Sequence, residues 1–210
     1  MIITVNIQIF IIVIIFILTK QIKIYTALMI FALIHELAHM FTGIALKLKP
    51  KELKINPLGI SIQFETYEQS EKKNMLVAIS GPLLNIVIAI ICAFLHINQE
   101  IKELIIYSNI LLGIFNLLPI YPLDGGRILK GLLRRKYNFR ETDKIINQIT
   151  NILVIGLTAI SSIIVLIYHN IGLLLFLLYI WILNIKENKK YILKTRVYDA
   201  IYSKGIDKNW

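Results

Sequence analysis

The chain has 210 residues, 57% of them hydrophobic and 17% charged, which is too apolar for an ordinary water-soluble domain. A formal net charge of +10 could point to nucleic acid, but the basic residues fall in blocks between apolar stretches, a distribution that argues for membrane topology instead. The lone cysteine, Cys92, excludes an intrachain disulfide.

Six apolar stretches are each long enough, or nearly so, to cross a bilayer: 2–18, 24–46, 75–95, 104–119, 149–168 and 171–185. The first lacks a basic leader region and a small-residue cleavage site, so it is expected to be a retained span. Between the second and third lie Lys47, Lys49, Lys51, Lys54, Lys72 and Lys73. Within the same connection Ile60, Ile62 and Phe64 alternate with Ser61, Gln63 and Glu65 behind a Pro57/Gly59 turn signal, which predicts a short β-ribbon at the membrane interface. The next basic block, Arg127, Lys130, Arg134, Arg135, Lys136, Arg140 and Lys144, is interleaved with Ile128, Leu129, Leu132 and Leu133. That pattern predicts a basic amphipathic helix over 128–147, lying on the inner leaflet. The last block, Lys186, Lys189, Lys190, Lys194, Arg196, Lys204 and Lys208, follows the final span. With the N-terminus in the cytoplasm, only Lys20, Lys23 and Lys102 fall on the outer side, so the positive-inside rule sets both termini in the cytoplasm. The elements together predict an all-α polytopic membrane protein, with about six transmembrane helices and a membrane-interface β-ribbon. Residues 1–185 form its core and 186–210 a basic cytoplasmic tail.

The second span contains Ile34-His35-Glu36-Leu37-Ala38-His39. Histidines four apart share one face of a helix, so both imidazoles reach one ion with the glutamate beside it. Ionisable groups inside an apolar span are costly, and their presence marks a functional site. The fourth span ends in a run broken by Pro119, Pro122, Gly125 and Gly126, which holds Asp124 on the membrane side where His35 and His39 lie. Asp124 read alone is a turn residue before two glycines; paired with H-E-x-x-H, it completes a two-histidine, one-carboxylate shell for one Zn2+ with an open fourth position. Glu65, Glu68 and Glu71 are the alternative third ligands. Glu36, not needed as a ligand, is the candidate general base.

Three separated motifs carry a family resemblance: HELAH at 35–39, Ser-Gly-Pro-Leu-Leu-Asn at 80–85, and Asn-Leu-Leu-Pro-Ile-Tyr-Pro-Leu-Asp-Gly-Gly at 116–126. On these the chain resembles the site-2 protease family of intramembrane zinc metalloproteases, most of all its stage IV sporulation protein FB subgroup. The resemblance implies His35, His39 and Asp124 as zinc ligands and Glu36 as catalytic base. It implies Asn116 and Pro122 in a loop that holds substrate, and Gly81, Pro82 and Asn85 as packing residues beside the catalytic helix. It also implies that Ile60, Ile62 and Phe64 bind substrate as an added strand. The expected partners are a membrane-associated protein substrate, the lipid bilayer, and membrane proteins that inhibit or activate the protease. The expected location is the bacterial cell membrane, or the membrane around the forespore if the protein serves sporulation. Members of that subgroup usually carry a C-terminal nucleotide-sensing domain of paired cystathionine-β-synthase motifs; the residues up to Trp210 contain none, so neither ATP sensing nor a sigma-factor precursor as substrate follows automatically. The competing non-enzyme reading is a catalytically silent relative that acts as a membrane scaffold, for which an intact Glu36 would serve no purpose.

Overall fold

The computed structural model describes residues 2–5, 17, 22–56, 59–64, 70–168 and 171–203. It divides into two compact units, 1–117 and 118–210.

The first unit holds β1 (Ile2–Val5), α1 (Ile22–Ala45), β2 (Pro50–Asn56), β3 (Gly59–Phe64), α2 (Glu71–Phe94) and α3 (Gln99–Asn116). The strands form one sheet in the order β1-β2-β3. β2 and β3 are an antiparallel hairpin with Asn56 opposite Gly59 and an irregularity at Pro50/Glu52, and β1 pairs parallel to β2 from Ile2↔Glu52 to Val5↔Ile55. Residues 2–5, expected at the head of a membrane span, are therefore strand. The rest of that expected span lies outside the described residues, except Ile17. An aperiodic apolar run suits a strand as well as a helix, and Ile2-Ile3-Thr4-Val5 is wholly β-branched. At the hairpin's other end the Phe64 ring packs against Gly43 of α1, at a point where any Cβ would collide with it.

α1, α2 and α3 pack against one another. α3 starts earlier than its apolar run because Asn98 caps it: its Oδ1 accepts from Glu100 N at 2.9 Å and Ile101 N at 3.4 Å. The interior of this bundle is unusually polar. His35, His39, Asn85, Ser108 and Asn109 are buried, whereas Phe41 and Phe94 are 64% and 80% exposed. Apolar side chains outward and hydrogen-bonded polar groups inward is the distribution that hydrocarbon surroundings favour.

The second unit holds α4 (Asp124–Leu133), α5 (Phe139–Tyr168) and α6 (Ile171–Ser203). The amphipathic helix expected over 128–147 is interrupted: α4 stops at Leu133, and Asn138 starts α5 by accepting from Glu141 N at 2.8 Å. α5 and α6 pack together, joined in part by Asn151 and Asn188, whose side-chain amides exchange hydrogen bonds of 3.3 and 3.0 Å. α6 continues through the expected tail to Ser203. Among the described residues, three helical segments are long and apolar enough to cross a membrane: Ile22–Ala45, Glu71–Phe94 and Phe139–Ile163.

One glycine governs the entry to α4. A Cβ on Gly126 would lie 2.5 Å from the Ile120 carbonyl carbon and the Tyr121 nitrogen, so only glycine lets the preceding loop cross the helix's first turn. Gly126→Ala is expected to destabilise the protein by about 1–3 kcal/mol, because backbone must move. Gly156 in α5 has nothing within 4 Å of its added Cβ, so Gly156→Ala should shift stability by no more than about 1 kcal/mol. Thermal unfolding of both variants in detergent checks the contrast, and equal effects would refute it.

Candidate metal centre

His35 and His39 are one helical turn apart on α1, 4% and 2% exposed. Their rings meet edge to face at an interplanar angle of 87°, with the two Nε2 atoms 3.0 Å apart. The opposite nitrogens explain why. His39 Nδ1 lies 2.6 Å from the Val77 carbonyl oxygen, which can only accept, so Nδ1 carries the proton. Ser80 Oγ, 3.3 Å from the same nitrogen, donates its own hydrogen to Val77 O at 2.7 Å and so also accepts from the ring.

His35 is fixed by a longer chain of the same logic. Asn109 Nδ2 donates to the Ile105 carbonyl at 2.9 Å, which orients its amide. Asn109 Oδ1 then accepts from Asn85 Nδ2 at 3.1 Å, which leaves Asn85 Oδ1 to accept from His35 Nδ1 at 2.7 Å. Both imidazoles are thereby held with Nδ1 protonated and the Nε2 lone pair forward. Two acceptor nitrogens 3.0 Å apart repel, and a shared cation turns that repulsion into coordination. The donor chemistry fits a divalent ion of the zinc class.

Gly81 of α2 closes the back of this pair. A Cβ there would fall 2.5 Å from His39 Nε2 and 2.6 Å from His35 Nε2, in the space an ion needs. Glu36, between the two histidines in sequence, is half-buried. In the second unit, Asp124 is the first residue of α4 and is 5% exposed. A carboxylate in a helix's first turn is favoured by the helix dipole, and Arg127 Nη1 lies 3.7 Å from its Oδ1. The turn before it is closed by Leu123 N donating to Ile120 O at 2.8 Å, and Tyr121 N donates to Thr150 Oγ1 of α5 at 3.1 Å.

The sequence profile of peptidase family M50 matches residues 23–102 and 97–157, a region that contains His35, Glu36, His39 and Asp124. This chain belongs to peptidase family M50. The M50 match is supported by individual relatives. A zinc metalloprotease of Methanocaldococcus jannaschii is 29% identical over 157 residues, covering 68% of this chain and 45% of the relative. Stage IV sporulation protein FB of Bacillus subtilis is 30% identical over 133 residues, covering 61% of this chain and 46% of that protein. The chain thus spans less than half the length of these two M50 relatives. A solved structure, the site-2 protease from Methanocaldococcus jannaschii, superposes with a TM-score of 0.69 at 25% identity, covering 88% of this chain and 89% of that one.

The remaining residues singled out from the sequence are spread over several elements. Asn116 ends α3, where its Nδ2 donates to Leu112 O at 3.1 Å, while Pro122 lies in the turn before α4. Ile60, Ile62 and Phe64 are all in β3, with Ile60 opposite Ile55 and Ile62 opposite Leu53. Glu71 opens α2, and Glu65 and Glu68 lie outside the described residues. Gly81, expected as a packing residue beside the helix of the histidines, does lie against both rings, whereas Asn109 and the Val77 carbonyl were not read from the sequence. Asn109 had a signal, since an amide in the middle of an apolar run needs a partner. Val77 had none, because a backbone carbonyl leaves no mark on residue type.

The lock on His35 is testable. Asn85→Leu should weaken Zn2+ binding about 10–100-fold, as loss of a ligand's outer hydrogen bond does. Gly81→Ala should weaken it at least as much while circular dichroism stays helical. Competition against a chelator measures both, and affinities equal to wild type would contradict the lock.

Proposed function

We propose that this M50 member is a zinc-dependent intramembrane endopeptidase that cuts a membrane-associated protein near the cytoplasmic face. The observation that carries the reading is the buried histidine pair, whose two Nε2 atoms face each other at 3.0 Å in fixed tautomers inside the family-matched region.

His35, His39 and Asp124 are the residues that would hold one Zn2+. That ion would supply a Lewis acid for the scissile carbonyl and for the attacking water. Glu36 accepts the attacking water's proton on its carboxylate and returns it to the leaving amine. Asn85, Asn109 and Val77 hold the imidazoles still, so no ligand reorients during the reaction.

A helical substrate segment must be extended before its carbonyl is accessible. β3 is suited to receive it as an added strand. Support comes from Phe64, which anchors the end of β3 on Gly43, one turn beyond His39 on α1, so the strand and the histidines share one rigid mount. Ile60 and Ile62 complete this substrate-binding stretch, and Asn116 and Pro122 flank the segment that leads to Asp124. The basic blocks after the second, fourth and sixth apolar stretches support an arrangement with both termini in the cytoplasm. Resemblance to a sporulation protein makes a sigma-factor precursor the first substrate to try, with inhibitory or activating membrane proteins as further partners.

Co-expression with candidate membrane-associated substrates tests the reading. Glu36→Gln should abolish cleavage and retain zinc, and Asp124→Asn should weaken both. Full cleavage by either variant would refute the assignment.

A further inference from the structure

The second unit contains an ionic cluster that the proposed chemistry does not use. Asp143, in the first turns of α5, is 6% exposed, with Oδ1 2.6 Å from Lys130 Nζ of α4 and Oδ2 3.4 Å from Lys194 Nζ of α6. The Lys130 side chain is 13% exposed and that of Lys194 53%, so the pair with Lys130 is the desolvated one. Lys130 Nζ also lies 4.9 Å from the centre of the Tyr121 ring. Together with Ile146, Asn147 and Thr150 these groups line a cavity of about 110 Å³.

We propose that Asp143 is a positioning residue for Asp124, acting through Lys130. Three observations converge on it. First, α4 has only ten residues, three of them glycine, and a helix that short has too little intrinsic stability to define its own orientation. Second, the loop before it is fastened to α5 by the hydrogen bond from Tyr121 N to Thr150 Oγ1, and Asp143, Ile146, Asn147 and Thr150 follow one another on one face of α5. Third, the close approach at Gly126 makes the loop and the first turn of α4 a single body. That body is therefore tied to α5 at two points: at its loop by Thr150 and at its helix by Asp143. Asp124 lies between the two tied residues, Tyr121 and Lys130, in sequence. A buried ion pair adds little net stability, but it tolerates few geometries, so its contribution is to fix where α4 sits.

This inference rests on the reading of Asp124 as a zinc ligand. The experiment uses the full chain in detergent and measures Zn2+ affinity by chelator competition, the visible spectrum of the Co2+-substituted protein, and thermal stability. Asp143→Asn and Lys130→Met should each lower Zn2+ affinity about 10-fold or more and alter the Co2+ spectrum. Lys194→Met, which removes only the exposed partner, should leave affinity within about twofold of wild type, since an exposed pair contributes little. The double variant Asp143→Leu/Lys130→Met removes both buried charges; it should recover thermal stability while the Co2+ spectrum stays altered. Zn2+ affinity and Co2+ spectra equal to wild type in all variants would overturn the proposal, as would recovery of the wild-type spectrum together with stability in the double variant. Asp124→Ala separates the two levels. If it leaves Zn2+ affinity unchanged, the ligand reading fails and takes the positioning role with it. If it abolishes binding while Asp143→Asn does not weaken it, only the positioning role fails.

Discussion

Two imidazole nitrogens that both present lone pairs 3.0 Å apart in a buried interior are an unfavourable contact, and much of the first unit serves to maintain it. Each ring could escape by rotating or by exchanging its proton between nitrogens. Val77 O denies that to His39, and the relay from Ile105 O through Asn109 and Asn85 denies it to His35. Three helices contribute to this arrangement: α1 carries the rings, α2 brings Val77, Gly81 and Asn85, and α3 brings Ile105 and Asn109. Leaving any of these buried groups without its partner would cost about 1–3 kcal/mol, so the network sustains itself once the helices pack. The repulsion it preserves is what a divalent ion relieves.

The same constraint accounts for the inverted polarity of the bundle. A water-soluble protein would bury Phe41 and Phe94 and expose its asparagines. Here hydrocarbon can surround the phenylalanines at little cost, while Asn85 and Asn109 have to find each other. Gly81 belongs to the same packing, since a Cβ there would fall within 2.6 Å of both Nε2 atoms.

The histidine pair was legible in the sequence because its geometry is local: His35 and His39 four apart on a helix must face the same way. The apolar runs were legible too, and α1, α2, α3, α5 and α6 fall on five of them. Less was legible where local signals compete. Residues 2–5 begin a long apolar run with no period, so nothing local separates a strand from a helix, and their pairing with β2 is decided across the chain. The break between α4 and α5 did have a local sign in Asn138 and Glu141, overshadowed by the amphipathic pattern around it. The continuation of α6 beyond residue 185 follows from a segment rich in lysine and free of proline, with Glu187 and Lys190 paired one turn apart. The tautomer relay was not legible at all as a relay, since its members lie on three helices distant in sequence.

The central claim is that His35 and His39 together hold a single divalent ion. Elemental analysis of the purified chain, alongside His39→Ala prepared in the same way, tests this most directly. The account predicts one zinc per wild-type chain and none retained by the variant after mild chelation. A wild-type chain that takes up no zinc when it is supplied, or a variant that keeps its zinc, would contradict it.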